Sequence, residues 1–97
     1  MRTDKFQASK LIFSEGDQGD EAYRVVKGSV EISIQRDGQK LILAILGAGE
    51  TFGEMAMIER RPRSASVRTL EPTMIDVISR QDFQQVLDEG GFSPIHY

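Results

Sequence analysis

With 97 residues, 39% of them hydrophobic and 28% charged, the chain has the size and composition of one soluble globular domain, and we expect a single unit over residues 1–97. A net charge of −3 argues against DNA or RNA binding, and no apolar run approaches the ~20 residues that cross a bilayer, so we expect neither nucleic-acid binding nor membrane insertion. The absence of cysteine excludes disulfides and thiolate zinc sites, and residues 1–5 lack the apolar core of a signal peptide, which together favour a cytoplasmic location.

Short strands separated by turn residues dominate the predicted elements. The alternation of Val30, Ile32 and Ile34 with polar residues indicates a strand with one buried face, and Asp37-Gly38 is a favoured hairpin turn because both positions tolerate positive φ. The strand that returns from this hairpin is apolar on both faces, which predicts burial on both sides. The predicted strands span residues 10–13, 22–26, 29–34, 40–46, 64–70 and 73–78.

A helix over residues 80–89 is predicted after the last strand. Ser79 is its expected N-cap, and Phe83, Val86 and Leu87 fall at i, i+3 and i+4, which forms one apolar stripe. Many short strands at regular spacing indicate an antiparallel roll or barrel. We therefore predict a mainly β fold, an antiparallel β-roll of the jelly-roll or double-stranded β-helix type, with one short helix and one C-terminal helix.

The segment at residues 52–67, called the cassette below, departs from the strand pattern. It contains a short run of helix formers at residues 54–59, and Gly53 precedes that run. A glycine at a helix start lets another group approach the backbone closely. The free N–H groups of the first helical turn then form an anion site.

Charged and hydroxyl side chains complete this interpretation of the cassette. Pro62 ends the helical run, and the Arg63 guanidinium that follows can bind a phosphate with two parallel hydrogen bonds. Ser64 and the Ala65 N–H offer further donors. Glu54 would repel a phosphate, but a carboxylate accepts hydrogen bonds well from a sugar hydroxyl. A compact sugar phosphate satisfies both groups; the structural alternative makes Arg63 a surface salt-bridge partner of Glu54.

The cassette and two segments that precede it are similar to a known family. The run FGEMAMIERRPRSASV resembles the phosphate-binding cassette of cyclic-nucleotide-binding domains, found in the catabolite activator protein and in regulatory subunits of cAMP-dependent kinase. EGDQGDEAYRVVKGSVEIS resembles the family's first-strand segment, and LGAGETFGEM resembles its approach to the cassette. The resemblance covers about residues 6–89. It implies a β-roll flanked by helices that binds a 3′,5′-cyclic nucleotide as a regulatory sensor.

The resemblance also implies which residues contact the ligand. By position, Glu54 would accept a hydrogen bond from the ribose 2′-hydroxyl, and Arg63 would pair with the cyclic phosphate. The remaining implied site residues form the phosphate cradle or line the pocket wall: Ser64 and the backbone at Gly53, Met55, Ala56 and Ala65 for the cradle, Ile32 and Leu43 for the wall. Because Ser64 follows the arginine, we favour cAMP as the ligand, with cGMP as the second candidate.

One departure from the family pattern concerns the C-terminus. In the family a longer helix follows the last predicted helix, where it caps the base, joins subunits or transmits the signal. Only residues 92–97 follow Gly91 here. We therefore expect the chain to lack most of this lid helix and to bind its ligand with little output of its own.

Two other functions compete with ligand sensing. A catalytic β-roll of the cupin type needs two or three histidines and a carboxylate, whereas the only histidine is His96, so we expect no metal site, no catalytic cofactor and no enzymatic activity. A degenerate β-roll that serves as a protein-interaction module with an empty pocket is the second alternative. The presence of Glu54 and Arg63 argues against degeneration, and the missing lid helix argues for it.

Overall fold

The computed structural model describes residues 1–89 as eight strands and two helices. In chain order these are β1 (Arg2–Phe6), β2 (Leu11–Phe13), β3 (Glu21–Lys27), β4 (Val30–Arg36), β5 (Gln39–Leu46), β6 (Thr51–Phe52), α1 (Glu54–Glu59), β7 (Ser66–Thr69), β8 (Thr73–Ser79) and α2 (Arg80–Asp88). That residues 1–97 form one domain without most of the lid helix stays a prediction, because residues 90–97, including His96, lie outside the described part.

The strands form two four-stranded antiparallel sheets, ordered β1-β8-β3-β6 and β2-β7-β4-β5. The two sheets share one apolar core, to which strands of both sheets contribute. Its buried members are Phe13, Val25, Val30, Ile32, Leu46, Phe52, Ala65, Val67 and Ile75. In the described part of the chain the sheets do not close into a barrel, and the predicted antiparallel β-roll is confirmed.

Local sequence signals predicted several elements well. Asp37 and Gly38 have φ angles of 54° and 75° and join β4 to β5 as a hairpin, with Arg36 paired to Gln39. The Ser79 side chain accepts a hydrogen bond from the Asp82 N–H at 3.2 Å, which caps α2 as predicted. Two strands, β1 and β6, were not predicted; β6 has only two residues, and both strands are fixed by pairing with a strand distant in sequence.

The prediction that β5 is buried on both sides is wrong. β5 is the last strand of its sheet and pairs only with β4 in the described part of the chain. Ile42 and Ile45 are 56% and 62% exposed. A bulge at Leu43, which lies between the pairs Ile32–Ala44 and Ser33–Ile42, leaves that residue unpaired and locally disrupts the ladder. An apolar run is therefore compatible with an edge position, and its composition alone does not distinguish edge from centre.

A second, smaller apolar cluster joins the two helices to the sheet. Met57 of α1 and Val86 of α2 are both buried there, together with Ala22 and Ile78 from the strands. Phe83 packs against this cluster, as the predicted stripe requires, but Leu87 is exposed. The cluster fixes α1, and so the cassette, against β3, β8 and α2.

Gly28, in the turn between β3 and β4, packs closely against residues 72 and 73, and the contribution of this packing to stability can be measured. Its φ is +98°, and a Cβ there would lie 2.5 Å from Thr73 Oγ1 and 2.7 Å from the Pro72 carbonyl oxygen. We expect Gly28→Ala to lower the free energy of unfolding by about 2–4 kcal/mol in urea denaturation. Gly16 has a similar φ of +91° but open space around its Cβ position, so Gly16→Ala should cost only about 1–2 kcal/mol. Equal losses would show that the contacts with residues 72 and 73 do not matter.

Candidate functional site

The cassette begins at a sharp turn that only glycine fits comfortably. Gly53 is the N-cap of α1 and has a left-handed conformation, with φ 81°. A Cβ at this position would lie 2.8 Å from Arg63 Nη1 and 3.2 Å from a ring carbon of Tyr23. Both the backbone conformation and the close approach of Arg63 therefore exclude larger residues. α1 spans residues 54–59 as predicted, and Glu54 at its start is fully buried.

Hydrogen bonds of both the backbone and the side chain hold Arg63 in place. Its N–H donates to the Asp17 carbonyl, and its own carbonyl accepts from the Gly16 N–H, both at 2.8 Å. In the guanidinium, Nη1 donates to the Gly53 carbonyl at 2.7 Å and Nη2 donates to the Glu21 carbonyl at 2.9 Å. The arginine therefore connects the cassette to the turn that precedes β3.

Aromatic rings complete the surroundings of this guanidinium. Arg63 Cζ lies 4.3 Å from the Phe13 ring centroid and 5.5 Å from that of Tyr23, which are cation–π distances. Only 4% of Arg63 is exposed. Its Nε is buried and has no hydrogen-bond partner among residues 1–89. The alternative that Arg63 is a surface salt-bridge partner does not agree with this burial.

Burial also changes the electrostatics of Arg63. It lowers the pKa of the Arg63 guanidinium because removal from water penalises the charged form, while nearby groups, including Tyr23 and Glu21, act in the opposite direction. Within the described part of the chain no carboxylate forms an ion pair with Arg63. An anion close to this guanidinium would act on the pKa of Arg63 in the same direction as Tyr23 and Glu21.

The predicted cradle residues lie on two sides of the cassette. Met55, Ala56 and Ser64 line a cavity of about 240 Å³ together with Arg61 and Pro62. Arg63 instead lines an open cleft of about 660 Å³, whose other walls come from β2, the turn before β3, and the start of α2. The structure thus brings Met55, Ala56 and Ser64 together, and it joins Arg63 to Gly53 by a direct hydrogen bond.

The predicted wall residues are placed differently from each other. Ile32 is fully buried in the main core, where it packs in the same cluster as Ala65. Leu43 lies at the bulge of β5 and is exposed. Contact of any of these residues with a ligand stays a prediction.

Sequence reasoning missed the groups that position Arg63. The carbonyls of Asp17 and Glu21 accept its hydrogen bonds, and Gly19 packs against its side chain so closely that a Cβ would lie 2.1 Å from Nε. Backbone carbonyls leave no mark in residue types. The second glycine of the run 15–20 was the one usable signal in the sequence, and the structure shows that Gly19, unlike Gly16, has no positive φ and is small because of Arg63.

Two further features bear on the class of site. Within residues 1–89 no group of three or more histidine, cysteine, aspartate or glutamate side chains could hold a metal ion. None of the helices in the same part of the chain has the length and apolar character needed to cross a membrane.

The fold is a β-roll of two antiparallel sheets. Its cassette contains a short helix, which begins after a left-handed glycine, and a buried arginine. The chain belongs to the cyclic nucleotide-binding domain family, whose model matches residues 3–89. The Cyclic AMP receptor protein of Thermus thermophilus is 38% identical over 79 residues, which are 80% of this chain and 37% of that protein. A cAMP-dependent protein kinase regulatory subunit of Yarrowia lipolytica is 32% identical over 90 residues, which are 93% of this chain and 23% of that protein.

Solved structures agree with this assignment. The Thermus thermophilus Catabolite Activator Protein has a TM-score of 0.83 and 34% identity, and the match covers 91% of this chain and 42% of that one. The EAL enzyme Bd1971 in its cAMP-bound form has a TM-score of 0.82 and 41% identity, with 90% of this chain and 24% of that one covered. A cGMP-bound form of Bd1971 matches with the same TM-score. The chain therefore spans less than half the length of these relatives, between 23% and 42%.

The contact between Gly19 and Arg63 can be tested by a double-mutant cycle. All three of the closest atoms to a Cβ at Gly19 belong to Arg63, so Gly19→Ala should lower the free energy of unfolding by about 1–3 kcal/mol in wild type. In an Arg63→Ala background the same change should cost far less, since the obstructing side chain is gone. Gly47→Ala is the control, because a Cβ there meets nothing within 4 Å. An equal cost in both backgrounds contradicts the packing described here.

Proposed function

We propose that the chain binds a 3′,5′-cyclic nucleotide as a regulatory sensor module, with cAMP preferred over cGMP, and performs no chemistry on it. The observation that carries this proposal is the buried Arg63 guanidinium, which has no ion-pair partner within residues 1–89. A buried charge is costly unless it is paired, and a cyclic phosphate carries the opposite charge. Family membership adds independent support.

Arg63 is the proposed phosphate ligand. A guanidinium has five N–H donors in a fixed fork, of which the contacts to Gly53 and Glu21 use one each. Three N–H donors remain, one each on Nε, Nη1 and Nη2, and a parallel pair of hydrogen bonds to phosphate uses two. The two carbonyl contacts hold the fork in place, so that little side-chain freedom is lost on binding.

The other site residues follow from the family pattern. Glu54 is the proposed acceptor for the ribose 2′-hydroxyl, which suits a carboxylate buried at the start of α1. The cradle is proposed to include the Ser64 hydroxyl, which lines the 240 Å³ cavity with Met55 and Ala56. The backbone at Gly53, Met55, Ala56 and Ala65 would add further donors, and Ile32 and Leu43 would form the apolar wall.

The preference for cAMP is supported by Ser64 after the arginine and by relatives whose names include cyclic AMP. The cGMP-bound form of Bd1971 keeps cGMP as the competing ligand. The degenerate module without ligand remains the second candidate function, and it predicts no binding of either nucleotide. The absence of catalysis is proposed because the cassette offers no histidine as a base.

Isothermal titration of cAMP and then of cGMP into the purified chain tests the proposal. We expect saturable binding, tighter for cAMP. Arg63→Ala should weaken cAMP binding by about 2–5 kcal/mol, because the phosphate loses a buried charged partner. Arg63→Lys keeps the charge but not the forked guanidinium, and its cAMP affinity should lie between those of the wild type and Arg63→Ala.

Arg36→Ala is the matched control for charge loss, since Arg36 is exposed and pairs with Glu15 at 2.9 Å on the β4–β5 hairpin. Thermal unfolding of each variant separates a folding defect from a binding defect. Unchanged affinity in a folded Arg63→Ala variant removes Arg63 from the site. Failure of both nucleotides to bind the wild-type chain favours the degenerate module.

The role of Glu54 is tested with a ligand that lacks the ribose 2′-hydroxyl. Glu54→Gln should weaken cAMP binding by about 1–3 kcal/mol, because a neutral amide is a poorer acceptor than a carboxylate. If Glu54 accepts a hydrogen bond from the ribose, 2′-deoxy-cAMP should bind the wild-type chain more weakly than cAMP does. Glu54→Gln should then weaken the binding of 2′-deoxy-cAMP only slightly further. Equal binding of cAMP and 2′-deoxy-cAMP to the wild-type chain contradicts this role.

A further inference from the structure

The cassette carries three arginines within four residues, and the proposed function uses only Arg63. Arg60 and Arg61 are both exposed, but they face different cavities. Arg61 lines the 240 Å³ cavity together with Met55, Ala56 and Ser64, the proposed cradle residues. Arg60 lines another cavity, of about 450 Å³, with Asp20 and Arg80, which also line the cleft of Arg63. Of these two arginines, only Arg61 lines the cavity of the cradle residues Met55, Ala56 and Ser64.

The side chain of Arg61 is held at the surface by a weak partner. Its Nε lies 3.0 Å from Glu59 Oε2, and 68% of the Arg61 side chain is exposed. Ion pairs between exposed side chains contribute little, because water screens them and ordering two long side chains costs entropy. Arg61 can therefore exchange Glu59 for another anion at small cost. This differs from Arg63, which is buried and fixed by two carbonyls.

We propose that Arg61 is a second cationic residue of the phosphate site, which Glu59 holds at the cavity mouth until a ligand anion replaces Glu59. The proposal rests on the function proposed above and names a further binding residue of the same site. Arg61 attracts the negatively charged ligand toward the cavity and contacts its phosphate from the solvent side. Glu59 competes with the ligand for Arg61 and so tunes the affinity.

The test is a set of cAMP titrations at low and at high salt on wild type, Arg61→Gln, Glu59→Gln, the double variant and Arg60→Gln. Arg61→Gln should weaken binding about three- to tenfold at low salt, and this difference should shrink at high salt because exposed charges are screened. Glu59→Gln should tighten binding about twofold, and its gain should be smaller in the Arg61→Gln background. Arg60→Gln removes the same charge one residue away and should change affinity less than about twofold.

A purely structural Arg61 would leave affinity and its salt dependence unchanged in Arg61→Gln, and that result overturns the proposal. Equal losses in Arg60→Gln and Arg61→Gln also overturn it, since they indicate a general field without a specific contact. If wild type binds cAMP and Arg63→Ala does not, while Arg61→Gln binds normally, the proposed function stands and only this inference fails. If wild type binds no cyclic nucleotide, both fail.

Discussion

The structure around the cassette depends on one constraint, the burial of the Arg63 guanidinium. A cation removed from water must receive hydrogen bonds and counter-charge, or the fold loses several kcal/mol. The chain supplies two carbonyls from separate segments, at Gly53 and Glu21, and the ring of Phe13 beneath the charge. Space for the guanidinium then requires that neither Gly53 nor Gly19 carries a Cβ. One side chain thus dictates the residue types of two distant turns.

The same constraint joins elements that are far apart in sequence. The backbone of Arg63 pairs with residues 16 and 17, so the turn before β3 and the cassette behave as one unit. At the other end of α1, Arg80 Nη2 donates to the Met57 carbonyl at 2.7 Å and to Asp20 Oδ1 at 2.5 Å. A displacement of α1 must therefore change contacts at the first residue of α2. The described residues already connect the cassette to a helix outside it.

The features that were predicted correctly from the sequence are those that a few neighbouring residues decide. The Asp37-Gly38 turn, the Ser79 cap and the bounds of α1 each depend on a few consecutive residues, and each was predicted correctly. The edge position of β5 depends instead on strand order, which the apolar run at residues 41–46 does not encode. The carbonyls that hold Arg63 were invisible for a related reason, since every residue has a carbonyl and only the tertiary fold selects two of them.

The proposed site residues were chosen from the sequence by chemical type, but their division over two sides of the cassette needed the structure. Arg63 and Arg61 lie in different environments and, in the proposed function, would contribute to binding by different physics. Because Arg63 is already removed from water and held by two carbonyls in the folded domain, an anion would meet a cation that needs little further dehydration or ordering. Arg61 keeps its hydration and its freedom, so its attraction acts at longer range and is weakened by salt. A sensor that combined both would draw most of its binding strength from the buried arginine, while the exposed one would add affinity that depends on salt and would speed the capture of the ligand.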